Sequence, residues 1–452
     1  MFSGKILVNA SRLKLRDYFL WAIVFAVSAA GVLLFSHNDL NSGYADYPVW
    51  LTVILSGSFL FSVTYFLFLI ISARYSSLRH RSATYPEEYP GCTVIVPAYN
   101  ESSQVVETLE SIINSAYPEE KMQILTVNDG STDDTLEHLR LAVEKYPSRL
   151  TLIDLPCNQG KKHALCTAIR QAEHEFIITV DSDSIVGTDT LYQLLRPFVR
   201  KEVGAVAGAI GKKTTAENFF VRLFDVMLVF GCSLLRNAQS LQGNVFCTPG
   251  ALSAYRKSAI FPLLETWQNQ SFMGVPSRIG EDRAIATLLL ENRWQIEYQS
   301  SAFAETALPE NYVTMCRMLL RWTRSDIREN ILMSQFACRN LRAMTRRSWN
   351  LFIHWLFLSV NMLLPLLLLP VAFTAFFLTE KITVQLGMIL IFATLWSIIP
   401  AAVYWQHRHS LRDTVWAFIC GYFAQAALSW IAVYSLFTLR NSNWLTRQRP
   451  EK

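Results

Sequence analysis

The sequence predicts an α/β domain with a mostly parallel sheet, inserted between transmembrane helices. Three observations predict it. The 452-residue chain is 51% hydrophobic but only 17% charged, against roughly 25% charged in an ordinary soluble domain. The apolar excess is segregated into uncharged stretches near both ends, while the middle, about 74–347, carries most of the charge. Within that middle, short apolar runs alternate with helix-period segments, the pattern of strands covered by helices on both faces. The same composition excludes other classes. With 18 Gly, 16 Pro and no internal repeat, the chain is neither collagen-like nor low-complexity. A net charge of +5, diffusely spread, gives no basis for nucleic-acid binding. The eight cysteines form no CxxC pair, so they read as reduced structural thiols facing the cytosol.

The elements follow in chain order. A basic arm, 1–17, carries Lys5, Arg12, Lys14 and Arg16. The uncharged stretches 18–36 and 48–73 are each long enough to cross the hydrocarbon core, which takes about 20 residues. A signal peptide is disfavoured, because the second span follows directly and no small-residue cleavage site separates them. The loop 37–47 has Asp39 and Asp46 and no Lys or Arg, whereas Arg74, Arg79 and Arg81 follow the second span. Positive charge stays inside, so the arm and the central domain, 74–310, are expected in the cytoplasm, on a multi-pass protein of the inner or plasma membrane.

In the central domain, TVIVP (93–97) precedes a helix over 102–115 with Val105, Leu109, Ile112 and Ile113 on one side. Strands QILTV (123–127) and LTLIDL (150–155) follow, then a helix over about 160–172, then EFIITV (175–180) running into DSDS. Polar residues collect at the strand ends: Asn100 and Glu101, Asn128 and Asp129, Asp181 and Asp183. Ligands of such sheets sit there. The apolar stretch 216–235 is expected in the membrane interface. Residues 248–260 are a Pro-Gly turn, a small-residue run and a basic corner. GEDRAIATLLL (280–290) places Glu281 and Asp282 in the first turn of an apolar helix. Residues 311–347 are expected as interfacial helices, with Arg317, Arg321, Arg324 and Arg328 forming a basic face suited to a membrane surface. The segment 348–440 holds about three spans and 441–452 is a tail. Three spans would place that tail outside although it carries Arg447, Arg449 and Lys452. Either one stretch does not cross, or 348–379, with Pro365 and Pro370, is not a simple helix.

Two carboxylates one residue apart after an apolar strand, Asp181 and Asp183, can share a divalent ion. Mg²⁺ and Mn²⁺ favour oxygen ligands and bridge substrate phosphates, and such an ion would neutralise a departing diphosphate. Other features read two ways. NDGSTDD (128–134) alone is a turn and helix cap. Lys161, Lys162 and His163 after Gly160 suit a solvated helix start as well as a nucleotide pocket. Acidic residues at a helix start, such as Glu281 and Asp282, are ordinary dipole partners.

The motifs taken together resemble a family. VIVPAYNE (94–101), VNDGSTDDT (127–135), NQGKKHA (158–164), VDSDS (180–184), AQSLQGNVFCTPGALSAYR (238–256), GEDR (280–283) and RW (321–322) come in the order found in membrane-embedded, processive glycosyltransferases of family 2. The chain most resembles the hyaluronan synthases and rhizobial chitooligosaccharide synthases, and more distantly the poly-N-acetylglucosamine and cellulose synthases. The resemblance implies a GT-A fold with a Rossmann-like nucleotide-binding half. It implies inverting, Mg²⁺- or Mn²⁺-dependent transfer from a UDP-sugar, UDP-N-acetylglucosamine first, to a growing β-linked polysaccharide exported through the bilayer. It assigns the donor pocket to Pro97, Tyr99 and Glu101, with Asp129 near the uracil and Lys161 on the nucleotide. It assigns Asp181 and Asp183 to the metal and diphosphate, Asp282 to the general base with Glu281 beside it, and Arg321 to the diphosphate. Trp322, with Gly250, would meet the acceptor sugar. Two departures bear on specificity more than on reaction class. Met318 stands where the family has Gln, and a thioether cannot donate to a phosphate oxygen; Leu235 and Arg236 precede AQS where relatives often carry an acidic residue. Alternatives are a copolymer synthase that also uses UDP-glucuronic acid and a single-sugar transferase to a polyprenyl phosphate. The Arg321–Trp322 helix followed by spans argues against the latter. The intact Asp181, Asp183 and Asp282 argue against a catalytically dead transporter.

Overall fold

The computed structural model describes residues 49–82, 89–213, 218–378, 382–408 and 410–442. The basic arm, the expected first span and most of the tail lie outside these residues. Helix α1 (Val49–Ser82) leads to β1 (Cys92–Ala98), α2 (Gln104–Ile113), β2 (Met122–Asn128), α3 (Thr135–Lys145), β3 (Leu150–Asp154), α4 (Lys161–Gln171) and β4 (Phe176–Thr179). Strands β1 to β4 and helices α2 and α4 are those that the apolar runs predict, within two residues at each end; α1 runs nine residues past its expected span, and α3 had no predicted range. The strands β1 to β4 pair in parallel in the order β3-β2-β1-β4.

Both faces of this half-sheet are covered, which is why β1 is buried along its whole length. Ile95 joins one core with Leu125, Leu165, Ile169 and Ile177. Val94 and Val96 join the other with Val105, Leu109 and Ile124. The neighbours of β1 are β2 on one side and β4 on the other, so the chain reverses direction of travel across the sheet there. The crevice at the carboxyl ends of β1 and β4 is the topological switch point of an α/β sheet.

Beyond β4 the sheet grows in a way the apolar pattern did not announce. β5 (Ser184–Val186), α5 (Thr190–Leu195) and β6 (Val203–Lys212) follow, then α6 (Phe219–Val229), β7 (Ser253–Arg256), a small hairpin β8 (Ser271–Phe272) and β9 (Val275–Pro276), α7 (Glu281–Glu291) and β10 (Gln295–Thr306). The eight-stranded sheet runs β3-β2-β1-β4-β7-β6-β10-β5, with β7 antiparallel to both β4 and β6.

Four long helices complete the described chain: α8 (Tyr312–Asn340), α9 (Arg346–Leu378), α10 (Ile382–Arg408) and α11 (Leu411–Phe437). The last three coincide with the three uncharged stretches. The stretch with Pro365 and Pro370 is one continuous helix. Among the described residues, one helix, α11, is long and apolar enough to cross a membrane. Of the stretch expected in an interface, the described residues 218–235 are packed on two sides. Val226 and Val229 meet Tyr65, Phe66 and Leu69 of α1, and Val221 and Phe224 meet Met315 and Leu319 of α8. The basic face of α8 also differs from expectation. Arg324 and Arg328 are buried, and donate to Thr438 Oγ1 (3.0 Å), Leu439 O (2.7 Å) and Asn441 O (2.8 Å) just past the end of α11. These acceptors directly follow the C-terminus of α11, which carries partial negative charge, so the two guanidiniums fasten the end of α11 to α8.

Candidate active site

The crevice at the ends of β1 and β4 is lined by Pro97, Lys161, Asp181, Gly250, Glu281 and Asp282, from five separate parts of the chain. Local chemistry positions each. The Asp129 amide donates to Ala98 O (2.9 Å), continuing the β1–β2 ladder. Its buried carboxylate accepts from the backbone N–H of Gln159 (3.0 Å) and of Gly160 (2.9 Å). That anchors the loop that delivers Lys161 to the first turn of α4. Tyr99 and Glu101 follow β1 at the same end of the sheet, half-buried. There the Glu101 amide donates to Thr135 Oγ1 (2.9 Å).

Lys161 is the hub. Its Nζ forms an ion pair with Asp181 Oδ1 and a second with Glu281 Oε1 at 3.0 Å. Burial works against the ammonium, but the two carboxylates outweigh it and raise the Lys161 pKa. A Cβ on Gly250 would sit 2.9 Å from Asp181 Oδ2 and also against Lys161 Nζ, so the chain at Gly250 closes this pair off on one side.

Glu281 and Asp282 start α7, and their environments push them apart. Burial acts to raise Glu281, yet the Lys161 ammonium and then the Arg321 guanidinium overcome it and hold its pKa below the usual carboxylate range. For Asp282, burial and then the Glu281 charge raise the pKa, only partly countered by Lys161 and Arg321. Two adjacent carboxyl groups driven in opposite directions are the arrangement that separates an ionised anchor from a proton acceptor. Asp282 is held by the Arg283 amide on Oδ1 (2.8 Å) and by the Cys247 thiol on Oδ2 (3.4 Å). Burial, then Asp282, raises the Cys247 pKa, so the thiol stays protonated as a donor.

The turn before α7 is fixed by Gly280, at φ +74°, where any Cβ would overlap the Ser325 side chain of α8. This close approach sets α7 against α8 and brings Arg321 into electrostatic reach of both acidic residues. Trp322, the next residue, faces elsewhere: it is 39% exposed and its ring lies 5.4 Å from that of Phe224 on α6. Met318 packs, half-buried, in the apolar seam of α6, α8 and α11, where its thioether suits the surroundings.

Asp183 sits two residues beyond Asp181, its Oδ1 accepting from Thr306 Oγ1 (3.4 Å) and Ser184 Oγ (3.3 Å). Among the described residues no group of three or more His, Cys, Asp or Glu could hold a metal unaided. Two aspartates offering hard oxygen ligands suit Mg²⁺ or Mn²⁺ that draws its other ligands from a substrate diphosphate and water. The donor set therefore fits such an ion.

Sequence reasoning assigned no role to the residues that brace α7. Thr248 Oγ1 donates to Asp282 O (3.0 Å), Tyr255 OH to Thr248 Oγ1 (3.0 Å), and Trp267 Nε1 to Glu281 O (3.0 Å). Thr248 and Tyr255 belong to the 238–256 motif, so the signal was present there; Trp267 lies outside every motif.

Comparison with known proteins agrees with this architecture. Residues 93–261 match the family described as Glycosyl transferase family 2. An N-acetylglucosaminyltransferase of Azorhizobium caulinodans is 36% identical over 54% of this chain, and the chain spans 61% of that relative. One of Rhizobium meliloti is 32% identical over 79% of this chain and 82% of its own length. A hyaluronan synthase of Streptococcus pyogenes is 29% identical over 86% and 91%. A mannosyltransferase of Pyrobaculum calidifontis, solved with GDP-Man and Mn²⁺, superposes with a TM-score of 0.51 at 18% identity, covering 84% of this chain and 97% of its own. That last likeness concerns the fold: the sheet and its helices form a GT-A glycosyltransferase domain. With a relative aligned over four-fifths of both chains, this protein belongs to glycosyltransferase family 2 and is a sugar-transferring enzyme.

Proposed function

We propose that the enzyme transfers N-acetylglucosamine from UDP-N-acetylglucosamine to the end of a growing β-linked polysaccharide, which it passes across the membrane that holds its helices. The observation that carries this is the convergence of Lys161, Asp181, Glu281 and Asp282 in one crevice within electrostatic reach of Arg321. Those are the parts an inverting transfer needs. The acceptor hydroxyl attacks the anomeric carbon and forms the new C–O bond. Its proton goes to the Asp282 carboxylate. The bond from that carbon to the diphosphate oxygen breaks, and its electron pair leaves with UDP. Mg²⁺ or Mn²⁺, held by Asp181 and Asp183, would supply charge neutralisation for the leaving group. Arg321 and Lys161 supply fixed positive charge to the same oxygens. Glu281, kept ionised, orients Lys161. Asp129 holds the loop of Lys161 on the uracil side, where Pro97, Tyr99 and Glu101 border the nucleotide. Gly250 borders the crevice where the acceptor end would sit, whereas Trp322, turned toward Phe224 of α6, would meet the acceptor only outside that crevice. The helices α9 to α11, with α1, would enclose a path for the product, since a sugar chain cannot enter lipid without losing its hydrogen bonds.

The hyaluronan synthase relative matched over 91% of its length favours a second reading, in which UDP-glucuronic acid is a co-substrate. Purified protein in nanodiscs with Mn²⁺, given radiolabelled UDP-N-acetylglucosamine, separates the two. High-mass product from this donor alone supports the homopolymer. Product only when UDP-glucuronic acid is added supports the copolymer, and UDP release with neither overturns both donor assignments.

A further inference from the structure

We infer that Lys161 is a built-in competitor for the divalent cation, holding Asp181 until the nucleotide's diphosphate arrives, so that the ion enters with the nucleotide and not before it. The inference rests on the proposed reading of Asp181 and Asp183 as the residues that hold the ion. Lys161 Nζ lies in contact with Asp181 Oδ1 and 3.0 Å from Glu281 Oε1. Its side chain is 16% exposed and Glu281's is 7%, so water screens the contacts poorly. A compact ammonium with three donors, placed between two carboxylates, is the organic counterpart of a metal ion in that position. A divalent cation approaching Asp181 must weaken that ion pair and tolerate the ammonium's like charge at close range. Lys161 cannot retreat toward residues 248–250, because the Gly250 backbone already abuts it. A diphosphate resolves the conflict. It gives Lys161 a new anionic partner while Glu281 keeps its hold, and it brings the oxygens that two aspartates alone do not provide. Lys161 is thus a positioning residue for Asp181 as well as a nucleotide contact, and metal and nucleotide binding are linked through it.

Electron paramagnetic resonance of free Mn²⁺ tests this without turnover. Wild-type protein in nanodiscs should bind Mn²⁺ weakly alone and more tightly with UDP. Lys161→Met and Lys161→Gln, which keep side-chain bulk and drop the charge, should bind Mn²⁺ without UDP about tenfold more tightly than wild type, within the usual range of coupling between sites. Lys161→Arg, which keeps the cation, should stay close to wild type. Asp181→Asn should lose the gain when combined with Lys161→Met. Two neutral variants guard against one failing to fold, which thermal unfolding reports. If both fold and bind Mn²⁺ no better than wild type, Lys161 is not a competitor and the inference is overturned while the metal reading stands. If no form binds Mn²⁺ even with UDP, the metal reading itself is overturned and takes the inference with it.

Discussion

Asp282 and Glu281 are adjacent in sequence yet meet opposite electrostatics, because Lys161 overcomes the burial of Glu281, whereas burial and then its neighbour's charge prevail at Asp282. The consequence for pH has a definite sign. The folded pKa of Glu281 is depressed, so its contribution to stability is present above its unfolded pKa and is lost as pH falls through the folded value. The folded pKa of Asp282 is raised, so its ionised form weakens the fold at neutral pH, and that cost disappears as pH falls through the raised value. Asp282→Asn should therefore unfold at an equal or higher temperature than wild type at neutral pH, with the advantage shrinking in mild acid. Glu281→Gln should be less stable at neutral pH. The same Asp282→Asn change should lower the rate of sugar transfer by roughly 100- to 10,000-fold, the usual worth of a general base. In wild type the acid limb of the pH–rate profile should lie above the ordinary carboxylate range. Unaltered transfer by Asp282→Asn would remove Asp282 from the chemistry.

At the scale of elements, the junction of α7 and α8 decides whether the acidic pair and Arg321 share a site. It depends on Gly280, whose φ of +74° and contact with Ser325 admit no side chain. Gly280→Ala should cost roughly 1–3 kcal/mol in stability from the strained backbone, with further loss from the forced separation of the helices. Transfer activity should fall with it. Cys247, Thr248 and Trp267 still bind the first turn of α7, so the fold itself should survive, as circular dichroism and thermal unfolding would report. A Gly280→Ala protein with normal activity would mean that the spacing of α7 and α8 does not set the site.

For the whole molecule, two of the seams that join the sheet domain to the apolar helices fix its position most directly. One runs from α6 to α1 and α10, where Tyr404 OH donates to the buried Asp225 carboxylate at 2.7 Å. The other is the pair Arg324 and Arg328 at the end of α11. If the apolar helices span a bilayer, as the sequence leads one to expect, a domain so tied to them has a fixed orientation relative to it. On the expectation that the domain faces the cytoplasm, sealed inside-out membrane vesicles should use externally added UDP-sugar and accumulate polymer in the lumen. Right-side-out vesicles should do neither. Polymer found outside inside-out vesicles would separate synthesis from export.

The half-sheet β1 to β4, its helices α2 and α4 and the polar residues at its strand ends were legible in the sequence. Apolar runs buried on both faces and helix-period spacing are local signals, and Asn128, Asp129, Asp181 and Asp183 each follow such a run directly. The start of α7 at Glu281 was legible for the same reason. Strands β5 and β7, with three and four residues, are too short for any period to register, so the antiparallel insertion of β7 between β4 and β6 was not. Nor could spacing tell that Arg324 and Arg328 turn inward to the end of α11, since an arginine on a helix face reads as solvated until a distant carbonyl is found for it. The roles suggested by motif order named Lys161, Asp181, Glu281 and Asp282 one by one. That the first of these binds the next two, and that Asp282 is left as the carboxyl with the raised pKa, depends on contacts between residues 20 positions apart (Lys161 and Asp181) and 120 apart (Lys161 and Glu281), which only the folded chain brings together.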